Sequence, residues 1–551
     1  MAARDEKESV AQHEHNDAPA PSVFGNEFDT VVSSLVLQDD TPWYRKRNLR
    51  RLYLLFVGSV LCVETTSGYD ASVTNGLQSV PTWVSFFDNP TTTILGLMGS
   101  MYALGAIVSV PFVPYIADAF GRRRSTQLGC LIICCGAAIQ TASQNRGMFM
   151  AARVIIGIGI TPAIVGGSNL ISDSMLIAII ELAHPKERAR LGSLFNAFFF
   201  TGSSLAAIVT IATFRMKSDW GWRIPSVFQI LPSIITLIFI NFIPESPRWL
   251  IAKGRDSEAL AVIVEYHAEG NPESEFATAE FAQIKQTLAL EKEIAKQSWS
   301  SLLKTKGNRR RVMIAAFLGL ATQWSGNGLI SYYLTSILTN VGITDSLTKQ
   351  VINLSITLWG AITAFIIAFW STRFPRRRAY LACTISILIV FVIWTAASAQ
   401  YSATKSKSWS ALVIALIFIY QPCYNIAFNA LSYAYLPELF PYQTRTRGAS
   451  VFQWFSRAAL FLNTFVNPIG MQKAGWKYLT SYCVFIAFEI VFIYFLFPET
   501  AGKSIEELAF LYEDDAHAEQ ARRVTGYKAE ADHAVHESMD GTATRTGATL
   551  A

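Results

Sequence analysis

The sequence is short of charge. Asp, Glu, Lys and Arg make up 16% of its 551 residues, where a soluble globular chain carries about 25%. That deficit, together with 51% hydrophobic residues gathered into repeated apolar runs, excludes a soluble enzyme and points to an integral membrane protein. Zinc-type spacing is missing as well. The seven cysteines, Cys62, Cys130, Cys134, Cys135, Cys383, Cys423 and Cys483, fall inside apolar runs and read as small packing residues, neither disulfides nor metal ligands. The histidines lie outside those runs, so proton chemistry within the membrane has to use carboxylates. No metal or other cofactor is indicated. The amino terminus lacks the short apolar stretch and small-residue cleavage site of a signal peptide; residues 1–51, acidic and then basic at Arg45–Arg51, read as a cytoplasmic tail. The net charge of +5 is spread in short clusters between apolar runs, which follows membrane topology and excludes nucleic acid as a partner.

A helix needs about 20 residues to cross a ~30 Å hydrocarbon core. Twelve runs meet that length, near 52–74, 93–117, 126–143, 148–173, 191–213, 225–243, 313–338, 350–371, 379–398, 409–436, 448–470 and 476–497. The expected fold is an all-α membrane protein with twelve transmembrane helices in two six-helix bundles, at 52–243 and 313–497. A polar stretch at 244–312 is the cytoplasmic linker with short helices, and 498–551 is a cytoplasmic carboxyl-terminal tail. Lysine and arginine concentrate on one set of loops, at Arg45–Arg51, Arg122–Arg124, Lys186–Arg190, Arg373–Arg378 and Arg445–Arg447. That side is cytoplasmic by the positive-inside rule, and both termini with it. The expected setting is a lipid bilayer, with the plasma membrane as its location.

Several charged motifs occur once per half. Asp118-Ala-Phe-Gly121-Arg122-Arg123-Arg124 after span two matches Thr372-Arg-Phe-Pro375-Arg376-Arg377-Arg378 after span eight. Glu181 with Arg188 precedes span five, as Glu438 with Arg445 and Arg447 precedes span eleven. Glu245 and Arg248 follow span six, and Glu499 follows span twelve. Arginines past a helix end can cap carbonyls or pair with carboxylates on neighbouring helices, or serve only as topology anchors. As a set they are expected to form a latch that holds the outward-open state. The stretch 168–180 makes span four overlong by roughly two turns, either as an overhang or as an error in the transcript.

With those motifs, Gln323-Trp-Ser-Gly-Asn327-Gly, Asn467-Pro468 and Gly475-Trp-Lys477-Tyr, the chain resembles the sugar porter family of the major facilitator superfamily, in a fungal branch that includes lactose-permease-like and hexose transporters. The resemblance covers roughly 50–512. It implies a monomeric twelve-helix rocker with a central sugar site open alternately to each side.

Ionisable groups inside spans cost at least ~2.5–3.5 kcal/mol on insertion scales and are functional candidates by default. Here they are Glu64, Asp70, Arg153, Arg457 and Glu489. The resemblance matches Asp70, in Gly68-Tyr69-Asp70, to the proton-binding aspartate of proton-coupled sugar porters and Arg153 to its partner; a purely structural ion pair is the alternative. Glu64 is the rival acceptor, and Arg457 with Glu489 reads as a structural pair. A sugar site needs amides for hydroxyls and aromatic plates for ring faces. Span seven offers Gln323, Trp324, Asn327, Tyr332 and Tyr333, span five Asn196, and span ten Asn425, Asn429 and Tyr433. By resemblance, Gln323 matches a sugar-binding glutamine, Asn196 replaces another, and Tyr433 replaces a tryptophan under the sugar. Thr322 and Gly328 depart from the glutamine and asparagine common in glucose facilitators. The expected activity is proton:sugar symport; a passive uniporter and a non-transporting sugar sensor stay open, as do hexose, pentose, disaccharide and sugar acid.

Overall fold

Lipid offers the backbone no hydrogen-bond partner, so apolar runs of this length must bond within themselves as helices. A computed structural model describes residues 41–164, 182–184, 187–295, 301–370, 373–440 and 444–501, with Val32, Leu35 and Tyr512. The segment 168–180 and most of both tails lie outside the described residues.

Helices occupy the described part of all twelve expected spans. The first half runs Arg47–Gly58 with Val60–Leu77, Thr92–Ser109 with Val113–Phe120, Arg122–Thr141, Arg146–Ile164, Arg188–Thr213, and Trp220–Phe228 with Ile230–Phe239. The second runs Lys306–Trp324 with Asn327–Asn340, Ser346–Trp370, Arg376–Thr404, Lys407–Tyr424 with Ser432–Leu439, Arg445–Ala474, and Tyr478–Leu496. Nine described stretches are long and apolar enough to cross a membrane, and one of them, Arg447–Leu496, holds both final spans. The remaining two, spans three and seven, open on Arg122–Arg124 and Arg309–Arg311, charges that dilute their hydropathy.

Several spans are broken where the sequence dictates it. Pro111 and Pro114 interrupt span two, because proline removes a helical donor and clashes with the preceding turn. Span seven breaks at Ser325–Gly326, where Gly326 takes φ +105°, a left-handed conformation open to glycine at no steric cost. Span ten contains a π-helical turn at Asn425–Asn429, a distortion common at functional sites.

Within each half, span five packs on span one as span eleven packs on span seven. The halves meet through span five against span eight and span eleven against span two. Small residues permit the closest approaches. A Cβ on Gly68 would lie 1.8 Å from the carbonyl oxygen of Phe199 in span five, and one on Gly157 would lie 2.0 Å from that of Tyr102 in span two.

The linker carries helices Pro247–Ala252, Asp256–His267, Glu275–Ala295 and Ser301–Lys304. It grips the first bundle. Glu269 accepts the Asn48 and Leu49 backbone N–H groups at 3.0 and 3.1 Å, filling the orphan donors at the start of span one. Buried His267 bridges Glu280, at 2.6 Å, and the Leu182 carbonyl, at 3.0 Å.

Candidate functional site

Span one delivers Asp70 to the interior of the first bundle. Its side chain is 1% exposed, and Arg153 of span four is 0% exposed. Arg153 Nη1 donates to Asp70 Oδ1, and Gln229 Nε2 donates to the same oxygen at 2.6 Å. The guanidinium also lies over the Tyr102 ring, 5.5 Å from its centroid. Behind it, Gln140 Nε2 reaches Gln229 Oε1 at 3.4 Å. The sequence reading found the ion pair and missed Gln229. The signal was present, since Gln229 is an amide within the apolar run of span six, but a search for in-span charges passes over it.

Between the halves lies a cavity of about 150 Å³. Of the expected sugar contacts, Asn196, Gln323, Asn327, Tyr332 and Asn429 line it, brought together from spans five, seven and ten. Their amides are already oriented. Asn196 Nδ2 donates to the Asn429 carbonyl at 2.9 Å, Gln323 Nε2 to Ser456 Oγ at 3.4 Å, and Asn327 Oδ1 accepts from Ser331 at 3.2 Å. Glu64, Ser67, Tyr102, Gln453 and Arg457 complete much of the polar wall.

Three expected contacts are not among the described lining residues. Trp324 turns toward spans eleven and twelve, its indole N–H donating to the Ala459 carbonyl at 3.3 Å and its ring packing on Phe485. Tyr333 is buried with its hydroxyl on the Thr464 carbonyl. Asn425 bonds Thr363 Oγ1 at 2.9 Å and the Gly360 carbonyl at 3.2 Å, joining span ten to span eight. The cause is helical phase: neighbours on a helix point about 100° apart, and the breaks in spans seven and ten reset which face looks inward. The Tyr433 side chain lies outside the described residues. The expected Arg457–Glu489 pair does not form either. Glu489 is fully buried and meets Ser325 Oγ at 2.9 Å, whereas Arg457 faces the cavity.

On the linker face, two carboxylates make the same contact once per half. Glu245 accepts the backbone N–H of Arg122 at 3.0 Å and of Arg123 at 3.3 Å. Glu499 accepts those of Arg376 at 2.7 Å and Arg377 at 3.2 Å. Each thus caps the helix that begins span three or span nine, where unpaired N–H groups and the helix dipole favour an anion. Gly121 makes room, because a Cβ there would stand 2.5 Å from Glu245 Oε2. Burial raises the Glu245 pKa, against hydrogen bonds from the Ser246 and Arg122 N–H groups that lower it. In the second half Arg376 also pairs with Glu438 at 2.9 Å, and Thr500 donates to Glu438 at 2.6 Å. All these contacts lie within one half, so they fasten each bundle's rim to itself. Arg248 is half-buried and Arg447 buried. Glu181 lies outside the described residues, as do the side chains of Asp118, Arg188 and Arg445.

At the opposite face the halves are tied together. Asn75 of span one donates to Asn353 of span eight at 3.0 Å and accepts the Thr335 N–H of span seven at 3.1 Å. Gln350 donates to the Gly76 carbonyl at 2.9 Å, and Gln78 to the Tyr332 carbonyl at 3.0 Å. The cavity is therefore closed on the side away from the linker. Sequence reasoning missed this network, since Asn75 and Gln78 look like ordinary polar residues at a span's end.

The sequence profile of the family described as sugar (and other) transporter matches residues 56–512. The chain is similar to the MFS-type transporter criB of Aspergillus cristatus, at 26% identity over 81% of this chain and 90% of the relative. High-affinity glucose transporter 1 of Candida albicans is 26% identical over 86% and 88%. The arabinose-proton symporter of Bacillus subtilis is 25% identical over 81% and 92%. Among solved structures, the proton:xylose symporter XylE bound to 6-bromo-6-deoxy-D-glucose superposes with a TM-score of 0.68 at 19% identity, covering 84% of this chain and 99% of that one. That likeness places the chain in the twelve-helix major facilitator fold.

Proposed function

The chain belongs to the sugar porter family of the major facilitator superfamily, and from that premise we propose that it is a proton:sugar symporter working by alternating access. It is a multi-pass membrane protein and a sugar transporter; the coupling to protons is our reading. The observation that carries it is the buried contact of Asp70 with Arg153 and Gln229. Two donors hold the ionised carboxylate, in a setting where an unpaired charge would be costly. A proton taken up by Asp70 cancels the charge that both donors hold, and this frees Arg153 and lets the first bundle rearrange. Loss of that proton restores the pair. The arabinose-proton and proton:xylose symporters among the relatives support the same coupling.

The sugar binds in the central cavity. Asn196, Gln323, Asn327 and Asn429 exchange hydrogen bonds with its hydroxyls, and Tyr332 offers a ring to one of its faces. The linker face is cytoplasmic by its lysine and arginine loops, so both termini are inside and the closed side is the extracellular one; the family resemblance supports a monomer, placed in the plasma membrane. The capped carboxylates Glu245 and Glu499 keep each bundle's cytoplasmic rim rigid while the bundles rock. Tracer-sugar uptake in a host without sugar transporters tests the reading. Accumulation above the outside concentration that a protonophore abolishes is the expected result. Equilibration without accumulation would make the protein a passive uniporter, and surface expression without flux would make it a sensor.

A further inference from the structure

The last turn of span twelve draws in two arginines from other spans. Helix Tyr478–Leu496 ends there, and its final carbonyls have no partner within the helix. Arg310 of span seven donates from Nη2 to the Phe495 carbonyl at 3.0 Å, and Arg377 of span nine donates from Nη2 to the Tyr494 carbonyl. The Tyr512 ring backs Arg310, with 4.6 Å between guanidinium and ring centroid, and the Tyr494 ring backs Arg377 at 5.4 Å. Each cap uses one nitrogen, so Nη1 of each guanidinium is left over. Among the described residues neither guanidinium meets a carboxylate. Glu499, beside Arg377, is engaged by the backbone N–H groups of Arg376, Arg377 and Ala501, and Glu438 is engaged by the Arg376 side chain and Thr500. Exposed Arg309, Arg373 and Arg378 add positive charge to the same ends of spans seven and nine.

An apolar stripe leads up to this pair. Val484, Phe488, Val491 and Phe495 recur at helical spacing along span twelve, each more than half exposed, and so face lipid. Two cations at the end of an apolar stripe match an anionic headgroup on acyl chains. The first bundle is finished differently at the corresponding place. There Arg123 Nη2 donates to the Asn241 side chain at 3.1 Å, and Glu269 of the linker covers the start of span one. We propose that the linker-side rim of the second bundle binds an anionic phospholipid. Its phosphate bridges Arg310 and Arg377, whose guanidinium donors suit phosphate oxygens, and its chains lie along span twelve. By the orientation proposed above, that lipid belongs to the cytoplasmic leaflet, where anionic lipids give a negative surface potential. A choline headgroup would bring its own cation against the arginines.

Native mass spectrometry of the full-length protein in detergent micelles, titrated with dioleoylphosphatidylglycerol or dioleoylphosphatidylcholine, tests this. It requires neither transport nor a known orientation, so its failure would leave the transport reading standing. Wild type should bind phosphatidylglycerol about ten-fold or more tightly than phosphatidylcholine. Arg310→Gln/Arg377→Gln should bring that ratio to about two-fold or less, and Arg310→Lys/Arg377→Lys should retain part of it, because point charges remain but the forks are lost. Lys405→Gln/Lys407→Gln removes as much charge from the far end of span nine and should leave the wild-type ratio. Glycerol 3-phosphate, a headgroup without chains, should displace the lipid poorly. Equal binding of the two lipids by wild type would overturn the proposal, and that comparison stands even if a variant fails to fold. An equal fall in the Lys405/Lys407 variant would reduce the effect to overall charge and overturn the site. Ready displacement by glycerol 3-phosphate would make the arginines a soluble-phosphate site and overturn the lipid assignment.

Discussion

The two halves repeat their outer hardware and differ inside. Each has a proline–glutamate pair whose carboxylate caps the start of the half's third span, Glu245 on Arg122 and Glu499 on Arg376. Each buries one acid in its interior, but in opposite ways. In the first half Asp70 meets a guanidinium and an amide. In the second, Glu489 meets the hydroxyl of Ser325 among the described residues. Ser325 Oγ lies 2.6 Å from the Ala321 carbonyl and 2.9 Å from each Glu489 oxygen. A hydroxyl has one proton to give. That single proton cannot serve the Ala321 carbonyl and Glu489 at once. One half therefore holds an acid met by a guanidinium and an amide, and the other an acid that meets a hydroxyl at the break in span seven. On the proposed reading, the first half carries the coupling chemistry and the second carries most of the polar groups that meet the substrate.

The largest effect should come from breaking the charged interior. Arg153→Leu strands Asp70 as a buried, uncompensated charge, a change that costs about 3–5 kcal/mol in comparable sites. A large fall in Tm and in folded yield, measured by fluorescence size-exclusion, is expected, with partial recovery in Asp70→Asn/Arg153→Leu. Next is the seal between the halves. Asn75→Ala removes hydrogen bonds to Asn353 and Thr335, each worth about 0.5–1.5 kcal/mol. The protein should shift toward opening on the side away from the linker, and a cysteine placed at Ser331 should label faster from that side. An unchanged labelling rate would mean that apolar packing alone holds the seal.

The caps come third. Glu499→Ala should cost about 1 kcal/mol, the usual worth of a helix cap. Glu245 adds a pH signature. Its pKa is raised by burial, so its titration favours the folded state at low pH, and that contribution is lost as pH rises through the raised value. Wild type should accordingly gain Tm relative to Glu245→Gln as pH falls from about 8 to about 5. Smallest of all is Glu489→Gln. An amide keeps the shape of the acid and its contact with Ser325, so Tm and uptake should stay near wild type. A strong loss of proton-driven accumulation there would move coupling chemistry into the second half and undo the contrast.

How much of this could be read beforehand follows the same contrast. Span positions and the in-span charges of Asp70 and Arg153 were legible because charge inside an apolar run is rare and costly, whereas their pairing came from the family resemblance. The family's charged repeats were legible too, although not their manner of contact: Glu245 and Glu499 reach backbone N–H groups, not the arginine side chains. What was not legible depends on helix phase and on residues distant in sequence. The break at Ser325–Gly326 and the π turn at Asn425–Asn429 decide that Gln323 and Tyr332 face the cavity while Trp324, Tyr333 and Asn425 do not. Gln229 and Asn75 acquire meaning only when spans six, seven and eight are brought beside span one.

The central claim is that Asp70 is the group whose protonation drives the cycle. Asp70→Asn keeps the shape of the protonated acid and can neither take up nor release a proton. In proteoliposomes, an imposed pH gradient should drive accumulation by wild type and none by Asp70→Asn, while exchange of labelled for unlabelled substrate continues in both. Accumulation by Asp70→Asn under the same gradient would contradict the account and turn attention to Glu64.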